Sequence, residues 1–281
     1  MNKCKIIIII SAFIIYYINK LIIHFLIKNK LKINSEQNMI NLIINRTIFN
    51  NNNKKRNKNL VYSALLGNYD KIKPFNKQNG FDYFLFTDIK INIKTNWTIL
   101  DIPNQVKGLN LNVKKKQRFI KLHPHLFFKN YDLSIYIDTN IIIFGKLSEF
   151  LERFLTPKIS IYVLEHPRRN CIYLEILKVM LLHKDKKKTC LKVRNKYLKT
   201  KFPKKIGLSE NCILIRRHNN INSIHLMKKW WNEIKQFSHR DQLSFNYILW
   251  KTGIKIKYIS KAFMLHYFKF TKHFKKKLIK K

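Results

Sequence analysis

Short apolar runs that each stop at a polar or acidic residue recur along this chain, with helix-period segments between them. That alternation limits the fold more than any other feature. Residues 61–66 (VYSALL) end at Gly67-Asn68, a turn signal, and residues 82–88 (DYFLFTD) end at an aspartate. Residues 114–128 (KKKQRFIKLHPHLFF) begin as a helix, which Pro124 stops, because the residue before a proline is driven out of helical geometry. A third strand is LSIYIDTN, and KLSEFLERFL (146–155) has helical period. ISIYVLEH (159–166), NCILIRR (211–217) and the helical stretches at 171–184, 225–237 and 240–251 complete the series. Strands alternating with helices predict an α/β class fold, one domain with a mainly parallel central sheet. No internal repeat is visible.

In such sheets ligands bind beyond the carboxyl ends of the strands. There the polar residues collect: Asp70 after the first run, Asp88 after the second, Asp138-Thr139-Asn140 after the third, Glu165-His166-Pro167-Arg168 after the fourth. Asp138 poses the sharpest question, since it lies inside SIYIDTNIIIF (134–144). One answer is an aspartate that bonds the backbone of its own turn. The other is a carboxylate met by a cation, because a charge leaving water must be paired. A single strand-end aspartate fits the first answer, but four polar strand ends together favour the second. The preceding helix carries Arg118 and Lys121, either a solvated face or a phosphate-binding pair. Ser238–Lys251 (SHRDQLSFNYILWK) opens a second cluster with Arg240, Asp241 and Gln242. Acids are favoured at a helix start by the dipole alone; projection into a cleft is the functional alternative. His266 follows a late apolar stretch, where a packed imidazole is the commoner finding.

Residues 6–27 are almost wholly apolar and about as long as the roughly 20 needed to span a bilayer, so residues 1–30 read as an uncleaved signal anchor. Counting lysines around it places the rest of the chain in the cytoplasm. The sequons Asn45-Arg46-Thr47 and Asn96-Trp97-Thr98 argue for a lumenal domain, the orientation favoured here. Residues 31–59 form a low-complexity stem, 60–270 the folded domain and 271–281 a basic tail. Lys+Arg number 57 against 15 Asp+Glu, a formal charge of +42. Such charge fits an anionic membrane or nucleic acid, and it also fits an A/T-rich coding sequence heavy in Ile, Lys and Asn. The cations are scattered rather than striped and no zinc-finger, helix-turn-helix or RNA-binding pattern occurs, so no nucleic-acid partner is expected. The four cysteines show no metal-site spacing and read as buried free thiols, with a Cys171–Cys212 disulfide as the alternative.

YSALLGNYD, DYFLFTD, KLHPHLFF, YDLSIYIDTNI, EHPRRNCIYLE, GLSENCILIRRHN and FSHRDQLSFNYILWK occur in that order. Together the segments resemble the glycosyltransferase-like family of the TOD/MUCI type, also known as domain of unknown function 616. The resemblance covers roughly residues 61–251. It implies a GT-A-like (Rossmann-like) fold in a Golgi- or ER-type membrane protein. It also implies a nucleotide-diphospho-sugar donor, UDP-linked by expectation, and a carbohydrate-bearing acceptor. Carried over by position, Tyr62, Ser63 and Asp88 would lie near the nucleotide and Lys121 near the diphosphate, where Arg118 of the same helix is also expected to reach. Asp138 and Asn140 match the family's metal-site triplet, with His266 as third ligand by analogy with the wider superfamily; Mn²⁺ or Mg²⁺ is the implied ion. His166, Arg168 and Arg240 would serve sugar or acceptor, and Asp241, Gln242 and Glu175 catalysis. Asn in place of the triplet's second acid removes a charge and weakens the expected metal affinity. A metal-dependent hydrolase of a membrane lipid and a non-catalytic basic binding protein stand as the alternatives.

Overall fold

Parallel strands need a crossover element between them, and the chain supplies one after most strands. A computed structural model describes residues 59–272. The chain runs through β1 (Asn59–Leu65), β2 (Phe81–Thr87), β3 (Thr98–Asp101), α1 (Asn104–Lys107), α2 (Val113–Leu122) and α3 (Pro124–Phe127). It continues with β4 (Leu133–Ile137), β5 (Ile141–Ile143), α4 (Leu147–Phe154), β6 (Ile161–Glu165), α5 (Ile172–Leu181) and α6 (Lys187–Lys199). Then follow β7 (Ser209–Arg217), α7 (Ile221–Gln236), a 3-10 turn (Asp241–Leu243), α8 (Phe245–Thr252), β8 (Lys257–Ile259), α9 (Lys261–Met264) and β9 (Phe268–Phe270).

Seven strands form one sheet in the order β3-β2-β1-β4-β7-β6-β8, and β5 pairs with β9 in a small antiparallel sheet. Within the large sheet only β7 runs against its neighbours, β4 and β6. The reason lies in the connection. From β6 the chain makes two helical legs, α5 and α6, joined by a short loop, and two legs return it to the edge it left. The start of β7 therefore joins the carboxyl ends of β1, β4 and β6 on one rim. Asp138 N–H donates to Cys212 O across that junction at 2.8 Å.

Side chains alternate along β1, and both faces are covered. Leu60, Tyr62 and Ala64 join one cluster with Ile120, Ile176, Tyr197, Trp230 and Phe245 from the helices. Val61 and Leu65 join the other, with Phe75, Trp97, Phe150 and Phe268. Sheets covered on both faces produce near-continuous apolar strands, which is why these runs carry so little period-2 signal. Helix starts follow local chemistry. Asn112 Oδ1 accepts the Lys115 N–H at 2.9 Å, and Asn220 accepts from Asn222 and Ser223 at the head of α7.

The predicted elements occur, with three differences. The stretch at 240–251 is not one helix: it breaks at Ser244, whose hydroxyl turns back to Asp241 O. Helix α6 and strands β3, β5, β8 and β9 had no clear sequence signal; the strands are three or four residues long and α6 is mostly lysine and polar. Cys171, Cys190 and Cys212 are all free, so the disulfide alternative fails. The described residues fall in one unit, Asn53–Lys281. The proposed anchor at 6–27 and most of the stem and tail lie outside them. Among the described residues no helix is long and apolar enough to cross a membrane.

Candidate active site

Period 2 in β4 decides where Asp138 points. It shares a face with Tyr136, and that face looks at α2. The Tyr136 hydroxyl donates to Asp138 Oδ1 at 2.8 Å and accepts from Gln117 Nε2 at 2.5 Å. Gln117 and Lys121 are four residues apart on α2 and so stand one above the other. Lys121 Nζ lies 3.9 Å from Asp138 Oδ1, 2.6 Å from Asp241 Oδ2 and 4.8 Å from the centre of the Tyr136 ring. Arg118 Nε is 3.2 Å from the same Asp241 oxygen. Two carboxylates from distant parts of the chain thus converge on two cations of one helix. Asp138 does not fold back on its own turn by any side-chain bond; its turn closes through backbone, Ile141 N–H to Asp138 O at 2.9 Å.

Asp241 is held on every side. Its Oδ1 accepts the Gln242 N–H at 2.9 Å, and the Trp230 indole donates to its carbonyl at 3.2 Å. Burial alone would raise its pKa, but Arg118, Lys121 and Arg240 outweigh that and hold the carboxyl well below the usual carboxylate range. Burial tends to lower the pKa of Arg118, and Asp241 and Asp138 more than reverse this. The Tyr136 phenol is pushed well up, first by burial and then by Asp138. Tyr69 adds a ring that is 41% exposed, with its hydroxyl near Thr139 and its pKa pushed up to about 12 by burial and by Asp138.

A second cluster lies after β6. The Arg169 guanidinium donates to Glu175 Oε2 at 2.5 Å, and its other arm lies 3.0 Å from His166 Nε2. His166 Nδ1 accepts the Arg168 and Arg169 N–H groups at 3.1 and 3.0 Å. Burial and Arg169 lower the His166 pKa, so it is neutral at pH 7. The two clusters meet where α5 packs on the 3-10 turn. Ser238 Oγ donates to Asp185 Oδ2 at 2.5 Å, and His239 Nδ1 is 3.4 Å from the same oxygen, tying the α5–α6 loop to the segment leading to Arg240.

Several expected roles change. Tyr62 is fully buried, bonded to Lys121 O and Arg216, and Ser63 is 1% exposed and donates to Ile137 O at 2.7 Å. Both sit inside β1 rather than at its end, so neither reaches a nucleotide. Asp88 accepts the Gly67 N–H with both oxygens at 2.9 and 3.0 Å and pins the positive-φ turn that carries Tyr69. The Lys121 side chain is 1% exposed and ion-paired, so it orients Asp241 and presents nothing to a diphosphate; Arg118 is tied to the same carboxylate. Arg168 is exposed, and its neighbour Arg169 holds Glu175 instead. The Glu175 side chain is 4% exposed and locked by that pair, a poor position for a free base. Gln242 is partly exposed next to Asp241, and Arg240 is half-buried with its Nε lacking a hydrogen-bond partner.

His266 does not join Asp138 and Asn140. Antiparallel pairing of β5 with β9 sets Ile141 opposite Phe270 and Ile143 opposite Phe268, so His266 falls beside Gly145 at the far end. What the pairing delivers to Asn140 is Thr271, whose N–H and hydroxyl donate to Asn140 O at 2.9 and 2.8 Å. Asn140 Nδ2 donates to Thr271 O at 2.8 Å, and its Oδ1 is buried without a hydrogen-bond partner. Among the described residues no group of three His, Cys, Asp or Glu side chains could hold a metal. The next histidine, His273, lies outside the described residues. Tyr69, Gln117, Tyr136 and Arg169 were not singled out from sequence. Tyr136 had a signal, being two residues before Asp138 in a strand.

Solved structures similar to the chain include the WbbM bifunctional glycosyltransferase (11% identity, TM-score 0.46, covering 74% of this chain and 40% of that one). Mouse xyloside xylosyltransferase 1 matches at 11% identity and TM-score 0.42, over 72% and 84%. The galactosyltransferase LgtC with donor and acceptor sugar analogues matches at 11% and 0.39, over 70% and 72%. A curated relative, "Probable hexosyltransferase MUCI70" of Arabidopsis thaliana, is 27% identical over 153 residues. That match spans 51% of this chain and only 26% of the relative. The family model for the TOD1/MUCI70, glycosyltransferase-like domain matches residues 32–279, nearly the whole chain, and the protein belongs to that family.

Proposed function

We propose that the chain transfers a sugar from a nucleotide-diphospho-sugar, UDP-linked, to a carbohydrate-bearing acceptor, at the rim where β4 ends, on a fold of GT-A type. The observation that carries this is the convergence of Asp138 and Asp241 on Arg118 and Lys121. These four groups sum to zero charge. A pyrophosphate arriving there needs a further cation, and the one with suitable ligands is a divalent ion. Asp138, 19% exposed, offers a carboxylate, and Asn140 offers a buried oxygen with no other partner. Both are hard oxygen donors suited to Mn²⁺ or Mg²⁺. Bound there, the ion would neutralise the departing nucleoside diphosphate.

The protein's own groups position and exclude. The Tyr136 hydroxyl fixes one Asp138 oxygen. Asp241, kept ionised and immobile by its two cations, presents the partly exposed Gln242 for hydrogen bonds to sugar hydroxyls. A carboxylate so strongly ionised is a weak base, and preorganised charge is the main source of rate. Tyr69 offers a partly exposed ring against which a base or sugar can stack. The proposal includes anchoring in a Golgi- or ER-type membrane through residues 6–27.

Purified protein incubated with UDP-sugars and Mn²⁺ should release UDP in step with glycosylated product. Asp138→Ala should lower kcat/KM by about 10²–10³-fold, the usual cost of removing one preorganised charge from such a site. Wild-type turnover in that variant would defeat the proposal. So would cleavage of a lipid without UDP release, which belongs to the hydrolase alternative.

A further inference from the structure

Helix α5 is apolar on two sides, and the fold uses only one. Ile172, Ile176 and Val179 enter the core. On the outside, Leu174, Leu177 and Leu181 stand at i, i+3 and i+7, exposed by 52%, 47% and 65%, with Leu182 just beyond at 47%. A surface helix normally turns polar side chains outward. Helix α6 adds exposed Leu191 and Leu198, and the loop after it Ile206. Of fifteen exposed large apolar side chains among the described residues, these seven fall between 174 and 206. Apolar exposure concentrated in one helical hairpin points to an interaction surface.

The same stretch is intensely basic. Residues 174–206 hold twelve Lys and Arg against two acids, Glu175 and Asp185. Glu175 is paired with Arg169, and Asp185 is engaged by Ser238 and His239. Of the twelve cations, Lys196 is paired with Glu233. We propose that the α5–α6 hairpin docks on an anionic lipid bilayer, with the α5 leucines entering the boundary between headgroups and acyl chains and the lysines reaching lipid phosphates. Apolar side chains amid lysines are the composition of an interfacial membrane helix. A polyanionic nucleic acid would satisfy the cations and leave the leucines in water. A second copy would bury the leucines but set one strongly basic hairpin against another.

The chain carries its own probe. Trp97, Trp230 and Trp231 are at most 9% exposed, whereas Trp250 is 39% exposed. Trp250 packs on Phe202, ring centres 5.3 Å apart, and Phe202 lies 6.5 Å from Tyr173 of α5. Residues 1–58 contain no tryptophan, so quenching by brominated lipids reports this surface and not the apolar N-terminal segment. Full-length protein should be quenched by brominated vesicles of phosphatidylcholine with phosphatidylserine, far less by phosphatidylcholine alone, and less again as salt rises. Leu177→Ser with Leu181→Ser should weaken the binding read by quenching about tenfold or more, since two side chains no longer enter the interface. Both leucines are exposed, so the thermal midpoint should stay put and serve as the folding control. Equal quenching in variant and wild type overturns the proposal. So does a variant that alters only the sedimentation mass, which assigns the face to a second copy.

Discussion

Asp241→Asn tests the reasoning about the site most directly, because it removes one charge and almost no volume. In the wild type that carboxylate receives Lys121 at 2.6 Å and Arg118 at 3.2 Å, and their side chains are only 1% and 15% exposed. The amide leaves two cations in a poorly solvated site, with Asp138 at 3.9 Å from Lys121 as the remaining acid. Breaking a buried pair from one side costs about 3–5 kcal/mol, most of it the burial of an uncompensated charge. For a domain of this size that is a fall in Tm on the order of 10 °C. Urea denaturation should show a lower midpoint with an unchanged slope. Adding Lys121→Met should recover part of the loss, giving a coupling of about 1–3 kcal/mol in a double-mutant cycle. The pH dependence supplies a second check. The folded pKa of Asp241 is depressed, so its stabilisation is complete above the unfolded value and is lost as pH falls below about 4 towards the folded one. The variant should lack that part of the acid limb. A loss under about 1 kcal/mol, or an unaltered acid limb, would refute the view of Asp241 as the anchor of the cluster.

Tyr136→Phe should cost about 1–3 kcal/mol in urea denaturation, because Gln117 and Asp138 both lose a buried partner; under the proposed function it should also reduce any rise in Tm produced by added Mn²⁺. His123 and His218 are 6% and 3% exposed and held neutral by burial, each with a pKa lowered to about 4. A depressed histidine stabilises fully above its unfolded value of about 6.5 and loses that as pH falls towards 4. Unfolding free energy should therefore drop between pH 6.5 and 4, and His218→Gln should flatten the drop; a wild-type profile level across that window would contradict this. Gly145→Ala should destabilise by about 1–3 kcal/mol, since its Cβ would meet His266 O at 2.6 Å and Tyr267 Cα at 2.7 Å, both backbone atoms. Thermal denaturation of that variant measures how firmly β9 holds β5.

The long strands and helices were legible in the residues, and so was the rim. Apolar runs ending in Asp, Thr, Asn or Glu carry their own statement that a dry sheet meets water there, and Asp138 stood out on those grounds. Arg118, Lys121 and Asp241 were expected near that rim, and the structure brings the three side chains together. What could not be read was who pairs with whom. Lys121 and Asp241 are separated by 120 positions, and their contact depends on α2 and the 3-10 turn being laid over the same end of the sheet. That contact turned an expected phosphate ligand into a buried strut. Likewise His266 looked eligible until the antiparallel register of β5 and β9 placed Thr271, not the imidazole, at Asn140.

The chain by itself determined the α/β class, the mainly parallel sheet and the carboxylate at the end of β4, because these follow from the order of apolar runs and their local stops. Only the tertiary structure decided the reversal of β7, the partners of each charge and the outward leucines of α5. Those depend on distances between residues far apart in sequence. A one-residue change of register or helix phase would alter them while leaving every local pattern the same.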